Sequence, residues 1–390
     1  MHFQIQSHDL RESGREMRYK RTQIIHYSII HYSIIHLTRE ILTMKYHTLL
    51  FLLLTIASPL VAQNQIVPPD ATLEKLFTGI TLTEGVAVAA DGMVYFSDIT
   101  FSHQARLENG SMHAGHIWKF DPTTGKTTIF RSPSGMSNGI KFNGQGDMII
   151  CEGADYGGRR LIRTDMKTGM SYIVAAMYKG RKLNSPNDVT IDLQGRMYFS
   201  DPRYLGHETI EQPVMAVYRV DPDGAITRII TDAGKPNGVC ISPDQKTLYV
   251  VSNANGTTGI EQLATATDAG SVAVAVPLRK GRMALMAYDL DKDGNATYRE
   301  TMVDYSPEDG PDGLTVDMDG NLYVAERSEK RPGIGIYNPA GKEIGFIETP
   351  LPTNVGFGRD EDSNLLYITA GSSLYRIRLK TMGYHLPEKP

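Results

Sequence analysis

From about residue 70 onward, apolar and polar residues alternate over short runs. Each run breaks at a cluster of Asp, Asn, Gly and Pro and is followed by a second apolar-aromatic run. The clearest copies are EGVAVAADGMVYFSD (84–98), NGIKFNGQGDMIICE (138–152), NDVTIDLQGRMYFSD (187–201), NGVCISPDQKTLYVVS (237–252), DGLTVDMDGNLYVAE (312–326) and NVGFGRDEDSNLLYITA (354–370). A period of two bounded by turn residues predicts a strand, a tight turn and a second strand. A further strand pair usually follows, as in HIWKFDPTTGKTTIF, RLIRTDMKTGMSYIV, VYRVDPDGAITRII and IGIYNPAGKEIGFI, where D-P-x-x-G, D-x-x-x-G and N-P-x-G are hairpin signals.

Two hairpins per repeat make a four-stranded unit. The repeats open at positions 84, 138, 187, 237, 312 and 354, a spacing of 42–75 residues. Six four-stranded units at this period predict an all-β, six-bladed β-propeller. The long fourth step contains an expected insertion, rich in Ala, Thr and Gly, at about 255–285. The last repeat has only SLYRIRLK after its first hairpin, so it lacks one strand. The segment ATLEKLFTG, ahead of Glu84, is expected to supply it and close the ring. Residues 63–390 therefore read as one propeller domain.

The N-terminal region departs from this pattern. The apolar run LLFLLLTIA (49–57), preceded by Lys45 and followed by Ser58-Pro59-Leu60-Val61-Ala62, has the layout of a signal peptide over 44–62, cleaved near Ala62. It is too short for a stable membrane span. Such a signal works near a chain start, and Met44 stands directly before it. Residues 1–43, with their repeat IIHYSIIHYSIIH, are expected to be a disordered upstream extension, and the protein to be periplasmic or secreted.

Composition narrows the partners. With 40 basic and 44 acidic residues, the chain lacks the basic surplus of a general nucleic-acid binder. Its 41% hydrophobic content excludes global disorder. The two cysteines, Cys151 and Cys240, lie in apolar runs and read as buried free thiols. The chain is expected to work as a monomer or dimer on a small molecule.

The residues that open the repeats carry the candidate chemistry: Glu84, Asn138, Asn187, Asn237, Asp312 and Asn354. In a propeller, these equivalent positions converge on one end of the central channel. Two carboxylates packed together repel one another, and burying them unpaired is costly. A divalent cation relieves both penalties. Mixed carboxylate and carboxamide oxygens suit a hard ion, Ca²⁺ first, with Zn²⁺, Mn²⁺ or Mg²⁺ as alternatives.

The motifs Glu84-Gly85, Ser185-Pro186-Asn187-Asp188, Pro236-Asn237-Gly238 and Pro311-Asp312-Gly313 resemble those of the gluconolactonase, senescence-marker-protein and luciferin-regenerating-enzyme family of six-bladed propellers. The run 131–204, with RSPSGMSNG, CEGADYGGRRLIR, LNSPNDV and YFSDPRY, is similar to secreted bacterial gluconolactonase-type members, as is the ending LYITAGSSLYRIRLK. The resemblance implies a metal-dependent hydrolase of sugar lactones. Glu84, Asn187, Asn237 and Asp312 would be the metal ligands, and Asp312 the base or nucleophile. Animal lactonases of the family carry an Arg where this chain has Ser185, so that sugar contact is missing here.

Loops above the channel are expected to supply specificity. Asn138, His103, Arg203, Tyr204 and His207 are the candidate substrate contacts, with His113, His116 and Arg159 as further candidates. Two alternatives remain: a propeller that binds a sugar acid, or one that isomerises or dehydrates a sugar with the same cation. The stretch Asp289-x-Asp291-x-Asp293-Gly294 with Glu300 matches a helix-flanked calcium loop, but its flanks read as strands, so a hairpin turn is expected there.

Overall fold

The computed structural model describes residues 66–101, 110–256 and 280–387. The expected extension over 1–43 and signal peptide over 44–62 lie outside these residues, as does His103. No described helix is long and apolar enough to cross a membrane.

Six antiparallel four-stranded sheets account for the architecture. Blade one runs through Leu82–Val88, Val94–Ile99, His116–Asp121 and Lys126–Arg131. Blade two is Ser137–Phe142, Met148–Glu152, Arg160–Thr164 and Ser171–Ala175. Blade three is Val189–Ile191, Met197–Asp201, Ala216–Val220 and Ile226–Ile230. Blade four is Pro236–Ile241, Thr247–Asn253, Met283–Leu290 and Ala296–Asp304. Blade five is Leu314–Val316, Leu322–Glu326, Gly333–Tyr337 and Glu343–Glu348. Blade six takes Pro352–Phe357, Leu365–Ala370 and Ser373–Arg378 from the end of the chain and Glu74–Thr78 from its start. That last pairing, Glu74 opposite Arg376 and Thr78 opposite Ser373, closes the ring as expected. Each first strand touches the first strands of the blades on either side, so six inner strands enclose the channel.

Strand alternation explains why the blades cannot stand alone. In Met148–Glu152, Met148 and Ile150 pack toward blade one with Ala87, Tyr95 and Ile117. Ile149 and Cys151 face the other way, toward Val189, Phe199 and Tyr218 of blade three. Successive side chains point to opposite faces, and both faces are covered, which is why this run is apolar throughout. Blades one and six share Val86, Phe96, Phe120, Tyr367 and Leu374 in the same way. Cys151 and Cys240 are buried and free.

Two local expectations resolve clearly. Met283–Leu290 pairs with Ala296–Asp304, and the Asp291 carboxylate accepts the Asp293 and Asn295 amides at 2.9 and 2.8 Å, so the calcium-loop match is a hairpin turn. The insertion placed at 255–285 ends earlier, because blade four's third strand begins at Met283; residues 257–279 lie outside the described residues. The sequence pattern did not point to the C-terminal tail, which crosses the far end of the channel. There the Tyr384 amide donates to Val316 O at 3.0 Å, the Gly383 amide to Ser363 O at 2.9 Å, and His385 Nε2 to Gly358 O at 2.8 Å.

At the opposite end, hydrogen bonds run from blade to blade around the whole ring. Ser97 Oγ donates to Asn138 O at 2.8 Å, Gly139 N to Asn187 O at 2.7 Å, and Ser200 Oγ to Asn237 O at 2.5 Å. Gly238 N donates to Asp312 O at 3.0 Å, Gly313 N to Thr353 O at 2.8 Å, and Thr353 Oγ1 to Thr83 O at 2.6 Å. Four of these bonds end on the backbone carbonyl of a repeat-opening residue and the other two on the threonine just before one, and together they fix those residues in place. They also explain the glycine after Asn237. A Cβ on Gly238 would stand 2.5 Å from the Asp312 carbonyl oxygen, inside the neighbouring blade's backbone. Gly238→Ala should therefore cost roughly 1–3 kcal/mol, the usual penalty for overpacking. Thermal unfolding of the variant would check this, and an unchanged midpoint would contradict it.

Candidate active site at the channel mouth

The ring of inter-blade bonds brings the repeat-opening residues together. Glu84, Asn138, Asn237, Asp312 and Asn354 are buried at the mouth, and Asn187 is half-buried. The Asn237 carboxamide hydrogen-bonds the Asp312 carboxylate. The Asn187 side chain makes no hydrogen bond to another described residue. Burial pushes the Glu84 carboxyl well above the usual carboxylate range, and the charge of Asp312 pushes it the same way. Burial also raises Asp312, to about 6, while the Arg327 guanidinium and the Asn237 amide pull it back. Two carboxylates thus face one another with too little positive charge between them.

Three contributors were not recognised from the repeats. Arg327 directly follows the strand Leu322–Glu326, and its Nη1 reaches Asp312 Oδ2 at 3.1 Å and Pro352 O at 2.9 Å. Asp188 replaces the glycine that follows the opening residue in most blades. Its carboxylate accepts the Val189 and Val239 amides at 2.9 and 3.2 Å, stitching blade three to blade four, and its charge raises both Glu84 and Asp312. Lys141 lines the channel farther down. Only alternation marks Lys141 in the sequence: it lies three positions past Asn138, on the inner strand.

The loop candidates separate into groups. Tyr204 reaches the mouth: its hydroxyl hydrogen-bonds the Asn237 side chain, feels the Asp312 and Glu84 charges, and donates to Asn253 O at 3.0 Å. Burial raises its hydroxyl well above the ordinary phenol range, so it stays protonated. The Lys235 ammonium stands 4.0 Å from the centre of its ring. Arg203 is only 2% exposed. Its guanidinium donates to Asn184 O at 2.9 Å, Gly206 O at 3.2 Å and the Glu208 carboxylate at 3.1 Å, so it braces its own loop. Arg159 is turned likewise, to Leu183 O and Asn184 O. His207 lies outward, exposed, against Tyr156 with ring centres 4.3 Å apart and with Asp155 at 3.8 Å. His116 bonds Ser132 Oγ at 2.9 Å, and burial lowers its basicity. Ser185 Oγ accepts the Ala154 amide at 2.9 Å, joining blades two and three.

Among the described residues, no three His, Cys, Asp or Glu side chains group as a metal cluster. The donors at the mouth are two carboxylates and several carboxamides. That set fits a hard divalent cation: the residues are oxygen donors, and the excess of buried negative charge is what such an ion neutralises.

A six-bladed propeller with paired carboxylates and carboxamides at one channel mouth defines the class of protein. The chain belongs to the SMP-30/gluconolactonase/LRE-like family, whose model matches residues 82–372. Over 270 residues it is 31% identical to a gluconolactonase of Zymomonas mobilis, covering 65% of this chain and 65% of that enzyme's length. It is 27% identical over 298 residues to the lactonase drp35 of Staphylococcus epidermidis, covering 73% and 79% of the two chains. The solved structure of a gluconolactonase from Xanthomonas campestris superposes with a TM-score of 0.62 at 26% identity, over 82% of this chain and 92% of that one.

Proposed function

We propose that this chain is a metal-dependent hydrolase of sugar lactones, acting in the periplasm or outside the cell. One observation carries the reading: the Glu84 and Asp312 carboxyls are both buried at the channel mouth beside Asn237 and Tyr204 and both held above the usual carboxylate range, Glu84 by burial and by the charge of Asp312, and Asp312 by burial. The names of the gluconolactonase and lactonase relatives support the substrate class.

Glu84, Asn187, Asn237 and Asp312 would hold the cation, Ca²⁺ first. When bound, it would supply Lewis-acid polarisation of the lactone carbonyl. The rest of the chemistry falls to the chain's own side chains. Asp312 accepts the proton of the attacking water. The water oxygen joins the carbonyl carbon, and as the ring C–O bond breaks Asp312 passes the proton to the leaving ring oxygen, giving a hydroxy acid. In the ion-free site burial holds the Asp312 carboxyl up at about 6, and a bound cation would draw it down again. Arg327 and Asn237 hold the Asp312 carboxylate in one orientation. The protonated Tyr204 hydroxyl is a donor at the edge of the site, and with Asn138 it is placed to orient the sugar.

The test is acid release by the purified full chain, followed at constant pH on a panel of aldonolactones and aryl esters. Activity is expected to disappear with chelator and return with Ca²⁺. No acid release from any lactone by folded, Ca²⁺-loaded protein would overturn the reading in favour of sugar-acid binding or isomerisation.

A further inference from the structure

Between blades one and two, beside the mouth, lies a cleft that Glu84 and Asp312 do not line. Its volume is about 430 Å³, within the roughly 300–1,000 Å³ of small-molecule sites. Glu152, Asp155, Tyr156 and Arg160 of blade two line it, together with Met112 and His113, which precede blade one's third strand. Met136 belongs to the same wall. Ser137 pairs with Glu152 across the first hairpin of blade two, so Met136 and Glu152 flank the strand start that carries Asn138. The cleft therefore adjoins the channel mouth along blade two.

Tyr156 is 67% exposed, yet its loop is held firmly. The Glu208 carboxylate accepts the Asp155 and Tyr156 amides at 3.1 and 2.8 Å. The buried Arg203 in turn donates to that carboxylate at 3.1 Å. His207 stands against the Tyr156 ring, with centres 4.3 Å apart. Asp155 and Tyr156 take φ of +66° and +69°, a region that residues with a Cβ rarely adopt. Gly158 lets the loop lie close to the blade, because a Cβ there would collide with Glu152 Oε2. A buried brace and a strained backbone that hold an exposed ring in place add nothing to the core. They preorganise a surface for contact with a ligand.

The wall suits a neutral ring rich in hydroxyls. Glu152 is buried and accepts Arg160 Nε at 2.6 Å, and Asp155 adds a second carboxylate, so among these three the carboxylates outnumber the guanidinium and disfavour an anion. A sugar ring offers an apolar face that stacks on an aromatic ring and a rim of hydroxyls that donate to carboxylates. An aliphatic chain would use the aromatic surface and none of the polar wall. We propose that this cleft is a subsite for a second sugar ring, stacked on Tyr156, and that the preferred substrate is an aldonolactone carrying a glycosyl substituent. The proposal rests on the lactonase reading for the reaction and adds the substrate class. Tyr156 is then a specificity residue, which Glu208 and Arg203 position.

Steady-state hydrolysis of gluconolactone, cellobionolactone and maltobionolactone by the Ca²⁺-loaded full chain tests this. Wild type should favour one of the disaccharide lactones roughly tenfold in kcat/KM, through a lower KM, which is the scale of one good aromatic contact. Tyr156→Ala should abolish that preference and Tyr156→Phe should keep it. Tyr156 is exposed, so both variants are expected to fold. Hydrolysis of gluconolactone with no preference for either disaccharide lactone, or a preference that survives Tyr156→Ala, would overturn the subsite and leave the lactonase reading standing. An equal gain for an alkyl-substituted lactone without hydroxyls would show an apolar cleft and overturn the sugar assignment. If no lactone is hydrolysed, the lactonase reading fails, and calorimetry with cellobionate and maltobionate decides on the subsite by itself. Saturable binding weakened roughly tenfold by Tyr156→Ala supports it, and absence of binding refutes it.

Discussion

Replacing Asp312 with Asn should lower lactone turnover by roughly a thousand-fold, about 4 kcal/mol of barrier, within the range seen when a preorganised charged group is lost from an active site. The change keeps the shape and removes the base. Asn237 and Arg327, which now hold the carboxylate, would face an amide instead. Cation affinity should fall as well, because one of two charged donors is gone. The two effects separate by saturating the variant with Ca²⁺. If turnover recovers at high Ca²⁺, Asp312 serves only as a ligand. If turnover stays low with the ion bound, it serves the chemistry itself. Substantial turnover without added ion would remove Asp312 from the mechanism.

The propeller was legible because each of its rules is local. Alternation, Asp-Gly turns and a recurring repeat length predicted strands that the structure places within a residue or two, down to the closing strand Glu74–Thr78. The convergence of Glu84, Asn237 and Asp312 followed from the repeat alone, since equivalent residues of equivalent blades meet at the axis. What the repeat could not indicate is whatever breaks it. Arg327 lies past the end of a strand, where spacing carries no signal, and reaches Asp312 because the second strand of blade five, antiparallel to the first, ends beside the residues that open it. Asp188 hides as a substitution for glycine, and one of the two backbone amides that occupy it comes from the next blade. Arg203 shows the reverse problem. Its motif invites a role in binding, yet its position after a buried strand end makes it the brace of a loop. A charged residue near a site can face the ligand or hold up the wall, and only its hydrogen-bond partners decide which.

The same buried charges that would hold a cation should make the ion-free protein less stable as pH rises. For Asp312 the sign follows from a folded-state value pushed up to about 6 against about 4 in the unfolded chain. A carboxyl raised in this way favours the folded state while it is protonated. That contribution is complete below about pH 4 and is lost as pH climbs through 6. A shift of this size corresponds to roughly 2–3 kcal/mol. Glu84, raised further by burial and by Asp312 itself, extends the loss to higher pH. Chelator-treated wild type should therefore unfold at a lower temperature at pH 7.5 than at pH 5. Glu84→Gln should flatten that slope and be more stable than wild type at pH 7.5. With Ca²⁺ present the order reverses for the wild type: protons and the cation compete for the same oxygens, so the stabilisation by Ca²⁺ grows as pH rises through 6. Glu84→Gln should lose most of this gain, because it gives up a charged ligand. An ion-free wild type whose stability does not change between pH 5 and 7.5 would mean that Arg327 and the backbone amides already neutralise the mouth. In that case the site would have no electrostatic need for a cation.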